Sequence, residues 1–148
     1  MAALEGTAVA TGLRNSVWAY PLVNAGHILG IALLVGSSVP LSLRVLGVWK
    51  SIPQGPLRRV LSRTADAGFL LAVACGLLLF SARAAAYMRS GIFLAKMVVL
   101  VAAVASTLLL RALVPDSGNP SIQSRAAAGF SLAGWLAVLT LGRLIGYF

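Results

Sequence analysis

His27 is the only histidine in the chain, and it lies near the middle of the apolar stretch WAYPLVNAGHILGIALLVG. An imidazole can hydrogen-bond, relay a proton or bind a metal ion. An ionisable group at the depth of a bilayer centre is costly, and it usually faces the interior of a helix bundle. The chemistry of this sequence therefore depends first on what surrounds His27.

Two other polar residues fall on the same helical face as this histidine. Tyr20, Asn24 and His27 stand at positions i, i+4 and i+7. Gly26 and Gly30 form a pair of small residues beside them, a spacing that lets another helix approach closely. We expect this polar, closely packed face to point into the bundle.

Three interpretations of His27 remain open. The first is a neutral imidazole that is hydrogen-bonded to Asn24, to a serine or to a backbone carbonyl of a neighbouring helix. The second is an axial ligand of haem b, with Met97, Met88 or His27 of another copy on the opposite side of the iron. The third is a proton-relay or copper-binding histidine.

Basic residues near the ends of the apolar stretches form a second candidate group. Lys96 and Arg143 fall about one turn inside the third and fourth stretches, at the level of Arg14, Arg83 and Arg89. They could form an electropositive ring that holds haem propionates, a quinone headgroup or another anion. The alternative, which we favour, is that these long side chains extend to lipid phosphate.

The composition indicates a membrane protein. Of the 148 residues, 59% are hydrophobic and 10% are charged, whereas soluble domains carry about 25% charged residues. The length allows a single domain. The formal net charge is +9, but the basic residues border apolar stretches, so we expect membrane lipids as partners and no nucleic acid.

Four apolar stretches are long enough to cross a bilayer as helices. They cover about 17–41, 65–82, 91–114 and 126–147, and the first shows no short apolar core with a cleavage site, so we expect it to remain as a membrane helix. Seven basic residues lie on one side (Arg44, Lys50, Arg58, Arg59, Arg63, Arg111 and Arg125) and the other five on the opposite side. The sequence thus predicts an all-α bundle of four transmembrane helices with both termini outward, in the periplasm.

Two further features concern helix contacts. Gly142 and Gly146 form a GxxxG pair, which favours close packing within the bundle or against a partner. Asp66 is the only acid near a span, and we expect it at the start of the second helix, paired with Arg63 or Arg44.

Several segments carry a resemblance to a known family. The segments VWAYPLVNAGHILGIALLVG, LSLRVLG, FLAK and GRLIGY resemble an uncharacterised family of small bacterial membrane proteins with four helices. HILGIALLVG also looks distantly like the histidine-bearing helix of copper-resistance D type proteins and other haem-b-like bundles. The resemblance implies a bacterial inner membrane and no established activity. Members often have an acid in place of Asn24 and a further histidine near Arg111, which favours an accessory role here.

The sequence contains no motif of a known catalytic site and no loop long enough for a soluble catalytic domain. We therefore expect a non-catalytic protein without a cofactor, an accessory or anchor subunit that packs against other membrane-protein subunits or itself. A haem-b electron-transfer subunit that uses His27 is the first alternative, and a small oligomeric transporter or channel is the second.

Overall fold

Four long apolar helices make up most of the chain. The computed structural model describes residues 5–114 and 119–145, and these contain helices and no strand. The helices are α1 (Ala8–Asn15), α2 (Ala19–Leu46), α3 (Gln54–Ala82), α4 (Ala84–Arg89), α5 (Gly91–Leu113) and α6 (Ile122–Leu144). Length and hydropathy allow α2, α3, α5 and α6 to cross a membrane, which confirms the predicted all-α bundle with four spans.

The observed helices differ in length from the predicted spans. α3 begins at Gln54, eleven residues before the predicted start at residue 65, and α2 continues to Leu46. At about 1.5 Å per residue, the 29 residues of α3 extend about 43 Å, more than the roughly 30 Å hydrocarbon core. Its first turns therefore extend beyond the apolar stretch, because polar and basic residues also form helix where headgroups and water surround them.

Local signals define the ends of the helices. Ser90 and Ser121 cap α5 and α6, accepting hydrogen bonds from the amides of Phe93 and Ser124. α2 ends in a Schellman motif. Gly47 has a φ of 109°, and the amides of Gly47 and Val48 donate to the carbonyls of Arg44 and Leu43.

Close packing joins the spans in two pairs, α2 with α3 and α5 with α6, and α2 also packs against α6. A Cβ atom added to Gly30 would lie 2.5 Å from the backbone nitrogen of Ala72, and one added to Gly134 would lie 3.0 Å from the Cβ of Ala103. At Gly30 the backbones are too close for a side chain, whereas at Gly134 a methyl group would require Ala103 to shift by a few tenths of an ångström. The α3 and α5 backbones stay further apart, and a cavity of about 140 Å³ lies between them.

A helix that the sequence analysis did not predict precedes the first span. α1 buries Ala10 and Leu13. Arg14 donates to the carbonyl of Ala82 at the end of α3, and the carboxylate of Glu5 accepts from the amide of Ala85 at the start of α4. Both groups lack helical partners at these ends, so the N-terminal segment satisfies them.

Candidate functional site

His27 lies half-buried on α2, against α3. Its Nδ1 is 2.8 Å from the carbonyl oxygen of Ala72. A carbonyl can only accept, so Nδ1 carries a proton, and in the neutral imidazole the lone pair is then on Nε2. The ring lies over Gly76, where an added Cβ would be 3.0 Å from the imidazole Cε1. Glycine at position 76 therefore makes room for the imidazole.

The predicted polar face of α2 is only partly turned inward. Tyr20 and His27 are half-buried, whereas Asn24 is exposed. Of the partners considered for His27 from the sequence, the contact in the structure is the backbone carbonyl on the neighbouring helix. The other two residues of this face, Gly26 and Gly30, lie against α3. A Cβ on Gly26 would be 2.9 Å from the Sγ of Cys75.

Lys96 is the charged residue that the fold brings toward His27. It is half-buried on α5, close enough for its charge to act on the imidazole. A Cβ added to Gly142 on α6 would lie 3.5 Å from the Nζ of Lys96, an ordinary van der Waals distance, so this part of α6 lies against the ammonium group. His27, Gly76, Lys96 and Gly142, which we call the His27 cluster, thus come from all four spans.

The remaining predicted site residues are not part of the His27 cluster. Met97 is half-buried and follows Lys96 on α5. Successive helical residues point about 100° apart, so Met97 does not share the face from which Lys96 extends toward His27. Arg143 is exposed, next to Gly142. Gly146, the second residue of the predicted GxxxG pair, lies outside the described residues.

Aromatic residues close this end of the bundle. Phe80, Tyr87 and Phe93 have ring centroids 5.2 to 6.2 Å apart. The hydroxyl of Tyr87 on α4 lies near that of Tyr20 on α2. Burial raises the pKa of the Tyr87 hydroxyl above its usual value, and the neighbouring Tyr20 adds to the rise. Tyr87 therefore stays neutral and ties the short α4 to the first span.

Two other polar contacts join the spans nearer the opposite end. The hydroxyl of Thr107 lies 2.9 Å from that of Ser131, and it also accepts a 2.9 Å hydrogen bond from the indole nitrogen of Trp135. All three side chains are buried between α5 and α6. The hydrogen-bond network around Trp135 was not predicted from the sequence.

Asp66 and Arg111 form an ion pair across the gap between α3 and α5. Nη1 of Arg111 is 2.5 Å from Oδ1 of Asp66, and Nη2 donates to the carbonyl of Ser62 at 3.3 Å. The expectation that Asp66 stands at a helix start was wrong, because it follows twelve residues of α3. The expected partners Arg63 and Arg44 were also wrong. Asp66 is the only acid near a span and Arg111 is an isolated charge in an apolar run, and together these two features could have indicated the pairing.

The described residues contain no group of three or more His, Cys, Asp and Glu side chains that could hold a metal ion. Searches against protein families, curated proteins and solved structures found no match for this chain.

Proposed function

We propose that this chain is a non-catalytic integral membrane protein and serves as an accessory or anchor subunit of a bacterial inner-membrane complex. Its partners are membrane lipids and one or more other membrane-protein subunits. The excess of Lys and Arg around the α2–α3 and α5–α6 connections supports a cytoplasmic position for that end, with both termini in the periplasm.

The observation that carries this proposal is a contrast between two sets of glycines in the spans. Gly30 and Gly68 lie where α2 and α3 come closest, and Cβ atoms there would collide with backbone. At Gly36 on α2 and Gly129 on α6, an added Cβ would meet nothing within 4 Å. Glycine costs about 1 kcal/mol relative to alanine inside a helix. Close approach of a helix from another subunit would account for glycine at these outward positions.

The hydrogen bonds of the interior polar groups support the same proposal. His27, Thr107, Ser131 and Trp135 make hydrogen bonds that join one span to another. Such bonds fix the arrangement of the helices, which is what an anchoring subunit requires.

A pair of matched variants tests the proposal. Gly129→Leu places a large side chain on an outward face without disturbing the bundle, so we expect its thermal unfolding to match wild type and its partner to be lost on purification. Ala105→Leu, at an exposed position on α5, is the control and should keep the partner. Gly129 is preferred to Gly36 as the test position. Gly36 lies one turn before Pro40, so a substitution there would also alter the helix backbone next to the proline. Equal partner recovery from both variants would contradict the proposal.

A haem-b subunit is the second candidate, and the hydrogen bond of His27 favours it. Histidines that bind metals usually donate their other ring nitrogen to a carbonyl or carboxylate, as Nδ1 does here. Nε2 would then bind iron, and Lys96 is near enough to pair with a propionate. Haem would supply one-electron transfer. The opposite ligand would be Met97, Met88 or His27 of a second copy, and Met97 does not share the face of α5 from which Lys96 extends.

Visible spectra separate the two candidates. Protein purified in mild detergent from its native host should be colourless if the subunit proposal is right. A Soret band that disappears in His27→Ala would instead establish a haem site, and its persistence in both Met97→Leu and Met88→Leu would indicate that His27 of a second copy is the opposite ligand.

A further inference from the structure

A cationic pocket lies at the end of the bundle where α2 ends and α3 and α6 begin. Its volume is about 360 Å³. Residues from five segments line it, among them Arg44 of α2, Lys50 of the following loop, Gln54 of α3, Asn119 of the segment before α6, and Arg125 of α6. Three of these side chains are cationic, and the described lining residues include no acid. The pocket therefore favours an anion.

Hydrogen bonds to the backbone hold the two guanidinium groups in place. Arg44 donates from Nε to the carbonyl of Ile52 at 2.9 Å and from Nη2 to the carbonyl of Lys50 at 3.2 Å. Arg125 donates to the carbonyl of Leu46 at 3.3 Å. A guanidinium has five N–H donors, so these contacts position both groups and leave donors that can bind a ligand. A guanidinium group can donate two parallel hydrogen bonds to two oxygens of one phosphate group.

Gln54 provides a second, independent indication of a ligand. Its side chain is 8% exposed and lines the pocket, yet its Nε2 has no hydrogen-bond partner. A buried amide donor without a partner is unfavourable by about 1–3 kcal/mol, and an anion in the pocket would remove that cost. Gln54 is also the first residue of α3, whose first turn no side chain caps. The positive end of this helix dipole therefore points toward the same pocket.

The surroundings place the mouth of the pocket at the membrane surface. The loop that contributes Lys50 also exposes Val48, Trp49 and Ile52, and aromatic and apolar residues of this kind lie at the depth of lipid headgroups. We infer that this pocket is a binding site for a phosphate group, which Arg44, Lys50 and Arg125 hold by charge and Gln54 by a hydrogen bond. An anionic phospholipid headgroup and a free phosphate ion share this chemistry.

Delipidated full-length protein in detergent tests the inference. Its thermal unfolding is followed during separate titrations with phosphatidylglycerol, phosphatidylcholine and inorganic phosphate. We expect phosphatidylglycerol to stabilise the protein at concentrations at least tenfold below those needed for phosphatidylcholine. Stabilisation by phosphatidylglycerol alone identifies a lipid headgroup site, and stabilisation by inorganic phosphate as well identifies a site for the phosphate group itself. No preference for either anion over phosphatidylcholine would overturn the inference.

Three variants distinguish a built site from general surface charge. Lys50→Gln changes an exposed side chain of the pocket and should weaken the anion response about tenfold. Gln54→Met should also weaken it, while raising the melting temperature without anion because an unpaired buried amide is removed. Arg59→Gln removes one charge from an exposed position of α3 outside the lining and should respond as wild type does. An equal loss in Arg59→Gln and Lys50→Gln would overturn the inference.

Discussion

The imidazole of His27 on α2 is hydrogen-bonded through Nδ1 to the carbonyl oxygen of Ala72 on α3, at a distance of 2.8 Å. The bond lies between Gly30, where the two helices are in closest contact, and Gly76, which makes room for the ring. A histidine in the middle of an apolar span is thus accommodated by two glycines and a carbonyl. This arrangement contributes to the pairing of α2 with α3.

Removing the imidazole should destabilise the bundle moderately. His27→Ala loses an interhelical hydrogen bond, worth about 0.6 kcal/mol on average in membranes, and leaves a small cavity, so we expect a loss of about 1–2 kcal/mol. Asn24→Ala changes an exposed side chain on the same helix and should stay within about 0.5 kcal/mol of wild type. Reversible unfolding in mixed micelles measures both, and equal stability of the two variants would contradict this role of His27.

The glycine at the closest helix contact should not tolerate a methyl group. Gly30→Ala places a Cβ 2.5 Å from a backbone nitrogen of α3, so the helices must separate, at a cost of about 1–3 kcal/mol. Gly129→Ala is the matched control, because its Cβ meets nothing within 4 Å, and the better helix propensity of alanine should leave stability unchanged or raised by up to about 1 kcal/mol. Thermal unfolding of both variants in one detergent checks the contrast, and a stable Gly30→Ala protein would argue against the close approach.

The Asp66–Arg111 pair should show coupling in a double-mutant cycle. Asp66→Leu leaves the Arg111 side chain, which is 21% exposed, without its counter-charge, whereas the Asp66 carboxylate is 59% exposed and stays solvated in Arg111→Leu. Solvent weakens such a pair, so we expect each single change to cost about 0.5–1 kcal/mol. The double variant removes both charges and should be less destabilised than the sum of the two single changes. Additive losses would mean that the two residues act independently.

The raised pKa of Tyr87 predicts a loss of stability at high pH. Because the pKa is higher in the folded protein than the usual value of 10.0, the folded state holds this proton more tightly than the unfolded state does. The stability that the protonated Tyr87 hydroxyl contributes is fully present below about pH 10 and is lost as the pH rises through the folded pKa. Tyr87→Phe cannot titrate, so the wild type should lose more stability than this variant above pH 10. Parallel stability curves from pH 8 to pH 11 would contradict the burial of this hydroxyl.

Much of the fold could be predicted because lipid imposes simple rules. Each span needs about 20 apolar residues, and only helices satisfy their backbone in the hydrocarbon core. Hydropathy does not register helix that continues into polar surroundings, so the eleven additional residues at the start of α3 were missed. The same applies to α1, a short helix that is buried by its contacts with α2 and α3.

The candidate site was harder to predict, because its partners come from backbone and from other spans. The sequence shows that His27 and Lys96 are polar residues in apolar runs. It does not indicate that His27 contacts the carbonyl of Ala72 or that Lys96 lies against Gly142. Likewise, Gln54 falls outside the four predicted spans. Only the convergence of five segments shows that its amide is buried among cations.

The most direct test of the subunit proposal is the mass of the particle extracted from native membranes in mild detergent, measured together with its composition. The proposal predicts a particle well above the 15.3 kDa of one chain, which contains at least one other membrane protein in a fixed ratio. A single colourless chain that carries only lipid would contradict it.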